Sequence, residues 1–128
     1  MTAVEPIAAA ALDLGLLAGD WRNTNARGGI ARIVCEPASG GRMTVRCYGR
    51  CEPRERDWGT AEARVFAFEF ASREAGAFFA VYDFGFEEVR IQANVKAGVL
   101  VVVTLNSFRD GRGRANYFNR EFYYRAER

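Results

Sequence analysis

The chain contains no histidine at all. That absence removes His general bases, Ser-His-Asp triads, His-ligated haem and most zinc or copper sites. Lysine is almost missing too, since Lys96 is the single lysine among 18 basic residues and the rest are arginine. Set against 16 carboxylates, these leave a formal net charge of +2. A balance so mild lacks the basic stripe and the pI above about 9 that mark nucleic-acid binders, so nucleic acid is not an expected partner. Long hydrophobic runs are also absent. No stretch reaches the roughly 18 apolar residues of a spanning helix, so no membrane partner is expected.

Cysteine is scarce and odd in number: Cys35, Cys47 and Cys51. The segment from Met1 to Leu17 is apolar, but it carries Glu5 and Asp13, is interrupted by Pro6 and has no basic residue, unlike a secretory leader. An odd thiol count without such a leader points to reduced cysteines and a cytoplasmic protein. Cys35 and Cys47 can approach each other across a hairpin, and buried thiols are the expectation for both. Cys47 and Cys51 lie about 13 Å apart on a strand, beyond disulfide reach. Without a fourth ligand they make no zinc site, and neither a metal nor a cofactor is expected.

What is present is strand. The 128 residues are 49% hydrophobic and 13% aromatic, a composition for one folded domain spanning 1–128 rather than for disorder. Residues 1–18 read as a helical segment: Pro6 suits a first turn, Ile7, Ala10, Ala11, Leu14 and Leu17 recur at helical spacing, and Gly19 stops it. From Trp21 the period changes to two. Strands are predicted over Trp21–Ala26, Ile30–Glu36, Met43–Cys51, Thr60–Phe70, Ala77–Phe86, Glu88–Lys96, Val99–Asn106 and Ala115–Arg125. Glycine-rich turns join them, with one longer connection at Glu52–Gly59. Consecutive strands on short turns give an antiparallel meander, and about eight of them close into an up-and-down barrel over residues 19–128.

The alternation also gives direction. Val89, Ile91, Ala93 and Val95 share one face of their strand, and Met43, Val45, Cys47 and Gly49 share one face of theirs. Other strands are apolar on both faces: Phe66, Phe68 and Phe70 oppose Ala63, Val65 and Ala67, and Val99 to Val103 is apolar throughout. An apolar barrel exterior has to be covered, which predicts self-association to a dimer or tetramer through the fourth, fifth, seventh and eighth strands.

The first strand opens Gly19-Asp20-Trp21-Arg22-Asn23. This Gly-x-Trp resembles the opening strand of the calycin-type barrels, which include lipocalins, fatty-acid-binding proteins, nitrobindins and avidins. In length and layout the chain is most similar to avidins, whose first strand has Gly-x-Trp-x-Asn. The resemblance implies that Gly19 and Trp21 are structural, with Trp21 closing the barrel bottom, and that Asn23 is a donor and acceptor in the lumen. Lipocalin-like barrels set an arginine late in the last strand against this tryptophan, a role for Arg120 or Arg125. Avidins line the biotin pocket with several later tryptophans and a small hydroxyl. Here only Trp21 and Trp58 are present and Arg27 stands in the hydroxyl's neighbourhood, which argues against biotin. Nitrobindin-like haem binding needs the missing histidine. The segment from Gly49 to Gly59 is similar to a pattern seen in small bacterial proteins, and it puts Trp58 at a barrel mouth, either capping a ligand or packing over the barrel end.

Catalysis without histidine falls to Asp, Glu, Tyr, Arg or Cys. Glu69, Asp83 and Glu121 each sit in an otherwise apolar strand and are the candidate catalytic residues. A carboxyl desolvated in a lumen can act as general acid or base, whereas one at a strand end merely meets water or pairs with an arginine. Tyr82, Tyr117 and Tyr123 join Asn23 and Trp58 as candidate ligand-binding residues, each tyrosine offering an apolar body and a polar tip. The leading expectation is a barrel that binds an apolar or aromatic small molecule in its lumen. The alternatives are a cofactor-free cyclase or isomerase using the same carboxylates and tyrosines, and a structural protein whose barrel is filled by its own side chains.

Overall fold

A computed structural model describes residues 11–126. Eight strands follow one another: β1 (Gly19–Asn23), β2 (Ile30–Pro37), β3 (Met43–Gly49), β4 (Arg56–Ala67), β5 (Ala75–Asp83), β6 (Glu87–Lys96), β7 (Val99–Phe108) and β8 (Tyr117–Arg125). Each pairs antiparallel with the next, and β8 returns to β1, so the sheet is a closed barrel. The expected architecture is therefore present, and its topology is consistent with a calycin-type barrel at a coarse level. Closure satisfies the edge hydrogen bonds that an open sheet would leave to solvent.

The period-two pattern sets the core. Val89, Ile91, Ala93 and Val95 are buried, as are Met43, Val45 and Cys47, while their neighbours face out. The two buried cysteines stand diagonally across the β2–β3 pair, where Cys35 is opposite Val45 and Cys47 opposite Ile33, and both thiols are free.

One barrel end is plugged. Trp21, Leu14 and Leu17 are buried there, and the Trp21 indole Nε1–H donates to the Leu17 carbonyl at 2.8 Å. The Arg125 guanidinium lies 4.7 Å from the Trp21 ring centroid and donates to the Leu16 carbonyl. Of the two arginines considered, it is Arg125 that meets the tryptophan, because Trp21 and Arg125 are register partners on β1 and β8.

The predicted N-terminal helix is corrected by this segment. Among the described residues 11–18 there is no helix, only a bridge at Asp13 and a turn at Gly15–Leu17. The Asp13 amide donates to Arg73 O and its carbonyl accepts from Ala75, so its backbone extends β5 in parallel and is not available for helical bonds. The Asp13 side chain then accepts the Gly15 amide at 2.8 Å and tightens the turn. Leu14 and Leu17 are buried by this route instead, a case of tertiary pairing overriding local propensity. The remainder of the predicted helix lies outside the described residues.

The barrel is uneven at one seam. β4 and β5 pair only from Arg64–Ala67 to Ala75–Phe79, leaving Ala80–Asp83 unpaired on that side. Tyr82 spans the gap. Its hydroxyl donates to Gly59 O at 2.7 Å and accepts from the Cys47 amide at 3.2 Å.

Candidate functional site

The end opposite Trp21 holds a small cup. It encloses about 190 Å³ and is lined by the first inward residues of β2, β4, β6 and β8 and the last of β7. Val89, Val102 and Ile30 belong to the apolar core around it, while Thr104, Asn106, Asn119, Glu121, Tyr117 and Glu87 supply polar groups. The rest of the lumen is taken by buried side chains such as Phe78, Ile91, Leu100 and Met43. At about 30 Å³ per water in the liquid, the cup has room for a ligand of roughly six to ten non-hydrogen atoms, below the usual drug-sized range.

Trp58 enters by a backbone device. Between Arg46 and Tyr48 the β3–β4 register shifts: Arg46 is opposite Thr60, and Tyr48 is opposite Asp57. The extra residue is accommodated at Gly59, whose φ of +83° suits glycine, and the Asp57 carboxylate accepts the Gly59 amide at 2.8 Å. The shift reverses the parity of Trp58 relative to Thr60 and turns its indole inward. Gly49 makes room for it, since a Cβ there would stand 2.6 Å from the indole nitrogen. The ring packs edge-on against Tyr82 and Phe84 at 5.4 and 5.2 Å.

Glu121 is held by two amides. Asn23 Nδ2 donates to its Oε1 at 3.2 Å, and Asn25 Nδ2 to its Oε2 at 2.7 Å. The same Asn23 amide also donates to Ile30 O and Tyr123 Oη, and its Oδ1 accepts the Asn25 amide. Tyr123 in turn donates to Ile30 O at 2.7 Å. This network works only because residue 28 is glycine: a Cβ on Gly28 would lie 2.1 Å from Asn23 Nδ2 and 2.7 Å from both Glu121 oxygens. Burial and the adjacent Glu121 charge push the Tyr123 phenol well up from its ordinary value, and burial and Glu87 push Tyr117 in the same direction.

Thr104 and Asn106 complete the cup, and each is only 7% exposed. Asn106 Nδ2 makes long hydrogen bonds to Thr104 Oγ1 and Tyr117 O, at 3.4 and 3.5 Å. Its Oδ1 accepts no hydrogen bond from any described residue, and the Thr104 hydroxyl donates to none. Both residues line the cavity, so this spare capacity is open to a guest.

Of the residues singled out from sequence, the structure brings Trp58, Tyr117, Glu121 and Tyr123 together at the cup. Asn23 stands behind them with its amide committed to protein acceptors. Tyr82 is buried beside Trp58 as the seam bridge. The structure does not bring the other two carboxylates there. Asp83 is exposed and pairs with Arg109 at 3.0 Å, and Glu69 is exposed beyond the end of β4. Sequence reasoning missed Thr104, Asn106, Asn119 and Glu87. Their signal was available: Thr104 and Asn106 continue the inward parity of Leu100 and Val102, Asn119 lies between Tyr117 and Glu121, and Glu87 precedes Val89.

Among the described residues no helix is long and apolar enough to cross a membrane. Comparison of the chain with protein-family models, curated proteins and solved structures gives no match. What the chain can do has therefore to be argued from the cup and the barrel surface themselves.

Proposed function

We propose that the protein binds a small molecule in the barrel mouth. The observation that carries this reading is a cavity of about 190 Å³ at the barrel mouth, onto whose wall Thr104 and Asn106 open with hydrogen-bonding capacity left unused. A ligand with a matching donor and acceptor gains about 0.5–1.5 kcal/mol for each hydrogen bond it makes there. The apolar body of such a ligand has the Trp58 indole and the side chains of Val89, Val102 and Ile30 to pack against. The ligand is thus smaller and more polar than the lumen-filling apolar guest expected from composition. Arg125 against Trp21 supports the calycin-type reading of the fold, in which one end is plugged and the other receives the guest. The test is native mass spectrometry of gently purified protein, alongside a fragment screen by ligand-observed NMR. Adducts or saturable binding in the native protein, lost in an Asn119→Phe variant that fills the cup, are expected. Binding that survives the filled cup would put the ligand elsewhere.

We further infer that a second copy of the chain covers the outer face of β4–β8. One cross-strand row there runs Phe66, Ala77, Asn94, Val101, Phe122, with Phe118 and Tyr124 on either side of Phe122 along β8. Phe66 is 47% exposed, Phe118 68% and Tyr124 52%. β4 to β8 are five of the eight strands of the closed barrel, and a dimer interface on that side should bury the ~800 Å² per partner of a standard interface. Sedimentation of the wild type should give a dimer or a multiple of it, and Phe118→Glu should release monomers. A monomeric wild type at tens of micromolar would refute the interface.

A further inference from the structure

The charge in the cup runs against that of the chain. The protein is +2 overall, yet the residues lining the cup include Glu87 and Glu121 and no lysine or arginine. Three of the arginines on the loops at this end, Arg50, Arg109 and Arg114, are engaged elsewhere. Arg50 donates to the Gly28 and Asn25 carbonyls. Arg114 pairs with Asp110 and stacks over Phe108 at 4.2 Å, and Arg109 pairs with Asp83 and Glu88. Glu121 accepts one amide hydrogen on each oxygen, which leaves part of its accepting capacity free. The Glu87 carboxylate has no hydrogen bond or ion pair among the described residues, although the residue is only partly exposed at the cup wall.

Acceptors therefore exceed donors at this site. Both carboxylates and Asn106 Oδ1 seek hydrogens, and the donors facing them are the Thr104 and Tyr117 hydroxyls and the Asn119 amide. The walls include the rings of Trp58, Tyr117 and Tyr123, and aromatic rings are good company for a cation. No group of three or more His, Cys, Asp or Glu that could hold a metal ion occurs among the described residues. A metal ion would in any case leave the Trp58 wall without a partner.

We infer that the ligand of the cup is a small organic cation, a primary ammonium on a planar or aromatic body. The ammonium sits among Glu87, Glu121 and Asn106 Oδ1, and the body lies against Trp58. This rests on the reading of the cup as a binding site, and it adds the charge and class of the guest. Two carboxylates lining one small cavity bring negative charge to it, and a cation with three donors offsets that charge while filling the vacant hydrogen bonds.

The experiment is a matched series titrated into the wild-type protein at low ionic strength by calorimetry: benzylamine, benzyl alcohol and benzoate. These have closely similar bodies of a size that the cup accommodates, and they differ in the charge of the head. Benzylamine should bind saturably and about tenfold or more tighter than benzyl alcohol, with benzoate weakest. Glu87→Gln, whose carboxylate has no described contact, should cut the advantage of benzylamine over benzyl alcohol severalfold. Equal binding of the amine and the alcohol, or tighter binding of benzoate, would overturn the cationic class and leave the cup standing as a site. Failure of all three to bind would overturn both readings. An unchanged amine preference in Glu87→Gln together with Glu121→Gln would show that the preference arises outside the cup.

Discussion

Two adjacent glycines offer a sharp test of how the cup is built. Gly28 and Gly29 both lack a left-handed φ, so backbone strain does not distinguish them. Their surroundings do. A Cβ at residue 28 would lie 2.1 Å from Asn23 Nδ2 and 2.7 Å from each Glu121 oxygen, while a Cβ at residue 29 meets nothing within 4 Å. Gly28→Ala must therefore push Asn23 away from its bonds to Ile30 O, Glu121 and Tyr123. Overpacking of this kind costs about 1–3 kcal/mol, and one or two lost hydrogen bonds add about 1 kcal/mol each. Gly29→Ala restricts only the unfolded chain and should stabilise by about 0.4–1 kcal/mol. The two variants should thus differ by about 2.5–6 kcal/mol, which at about 4 °C per kcal/mol is a separation in Tm of roughly 10–24 °C. Chemical denaturation checks the same difference through the midpoint at constant slope. Gly28→Ala should also lose ligand binding at the cup. Equal stability of the two variants would refute the Asn23–Glu121 network as the organiser of the mouth.

The remaining predictions concern the other end of the network and the buried thiols. Gly49→Ala, made in a Trp21→Phe background, should displace the Trp58 indole and shift its emission to the red; an unchanged spectrum would mean the ring does not pass over Gly49. Tyr82→Phe removes the hydroxyl that joins Gly59 O to the Cys47 amide and should cost about 1–2 kcal/mol in denaturant unfolding. In the native protein one thiol, the exposed Cys51, should react rapidly with a disulfide reagent, and Cys35 and Cys47 only on unfolding. Burial pushes the Cys47 thiol up to about 12 and Cys35 in the same direction, against a usual value of 9.0. Above about pH 9 the unfolded chain therefore holds fewer protons than the native one. The thiol contribution to stability is complete below that pH and is lost as pH rises toward 12, by up to about 2.7 kcal/mol per pH unit for the two groups together. Stability that stays flat across that window would contradict the burial of these thiols.

Legibility tracked the range over which each feature is encoded. Strands marked by strict alternation were readable almost to the residue: Glu88–Lys96 was expected and Glu87–Lys96 is found. β4 was harder, because Phe66, Phe68 and Phe70 continue the period two past the point where the strand stops. The chain leaves the sheet after Ala67, where the pairing with Ala75 is already shifted, and carries Glu69 outside. The face shared by Tyr117, Glu121 and Tyr123 followed from spacing alone. That Asn23 would turn its amide to Glu121 and not to a guest did not, since it depends on β1 meeting β8 across nearly the whole chain. Trp58 reads as part of the Glu52–Gly59 connection, yet it stands in β4, where parity counted back from Thr60 would turn it outward. The bulge at Gly59 reverses it, and the space it enters is the missing side chain of Gly49 on the neighbouring strand.

Alternation of side chains, turn glycines and the lack of histidine were enough by themselves to determine an all-β barrel, its inward residues on most strands and the chemistries it does without. These are one-dimensional properties, because a pleated strand sends successive side chains to opposite faces whatever it pairs with. Tertiary structure alone decided that residues 11–18 plug the barrel as a bridge and turn, that Asp83 and Glu69 stay outside, and that Glu87, Asn106 and Glu121 converge on one cup. Convergence depends on barrel closure and on the stagger between neighbouring strands, which sets which residues share a level in the lumen. No local window of the sequence carries that stagger.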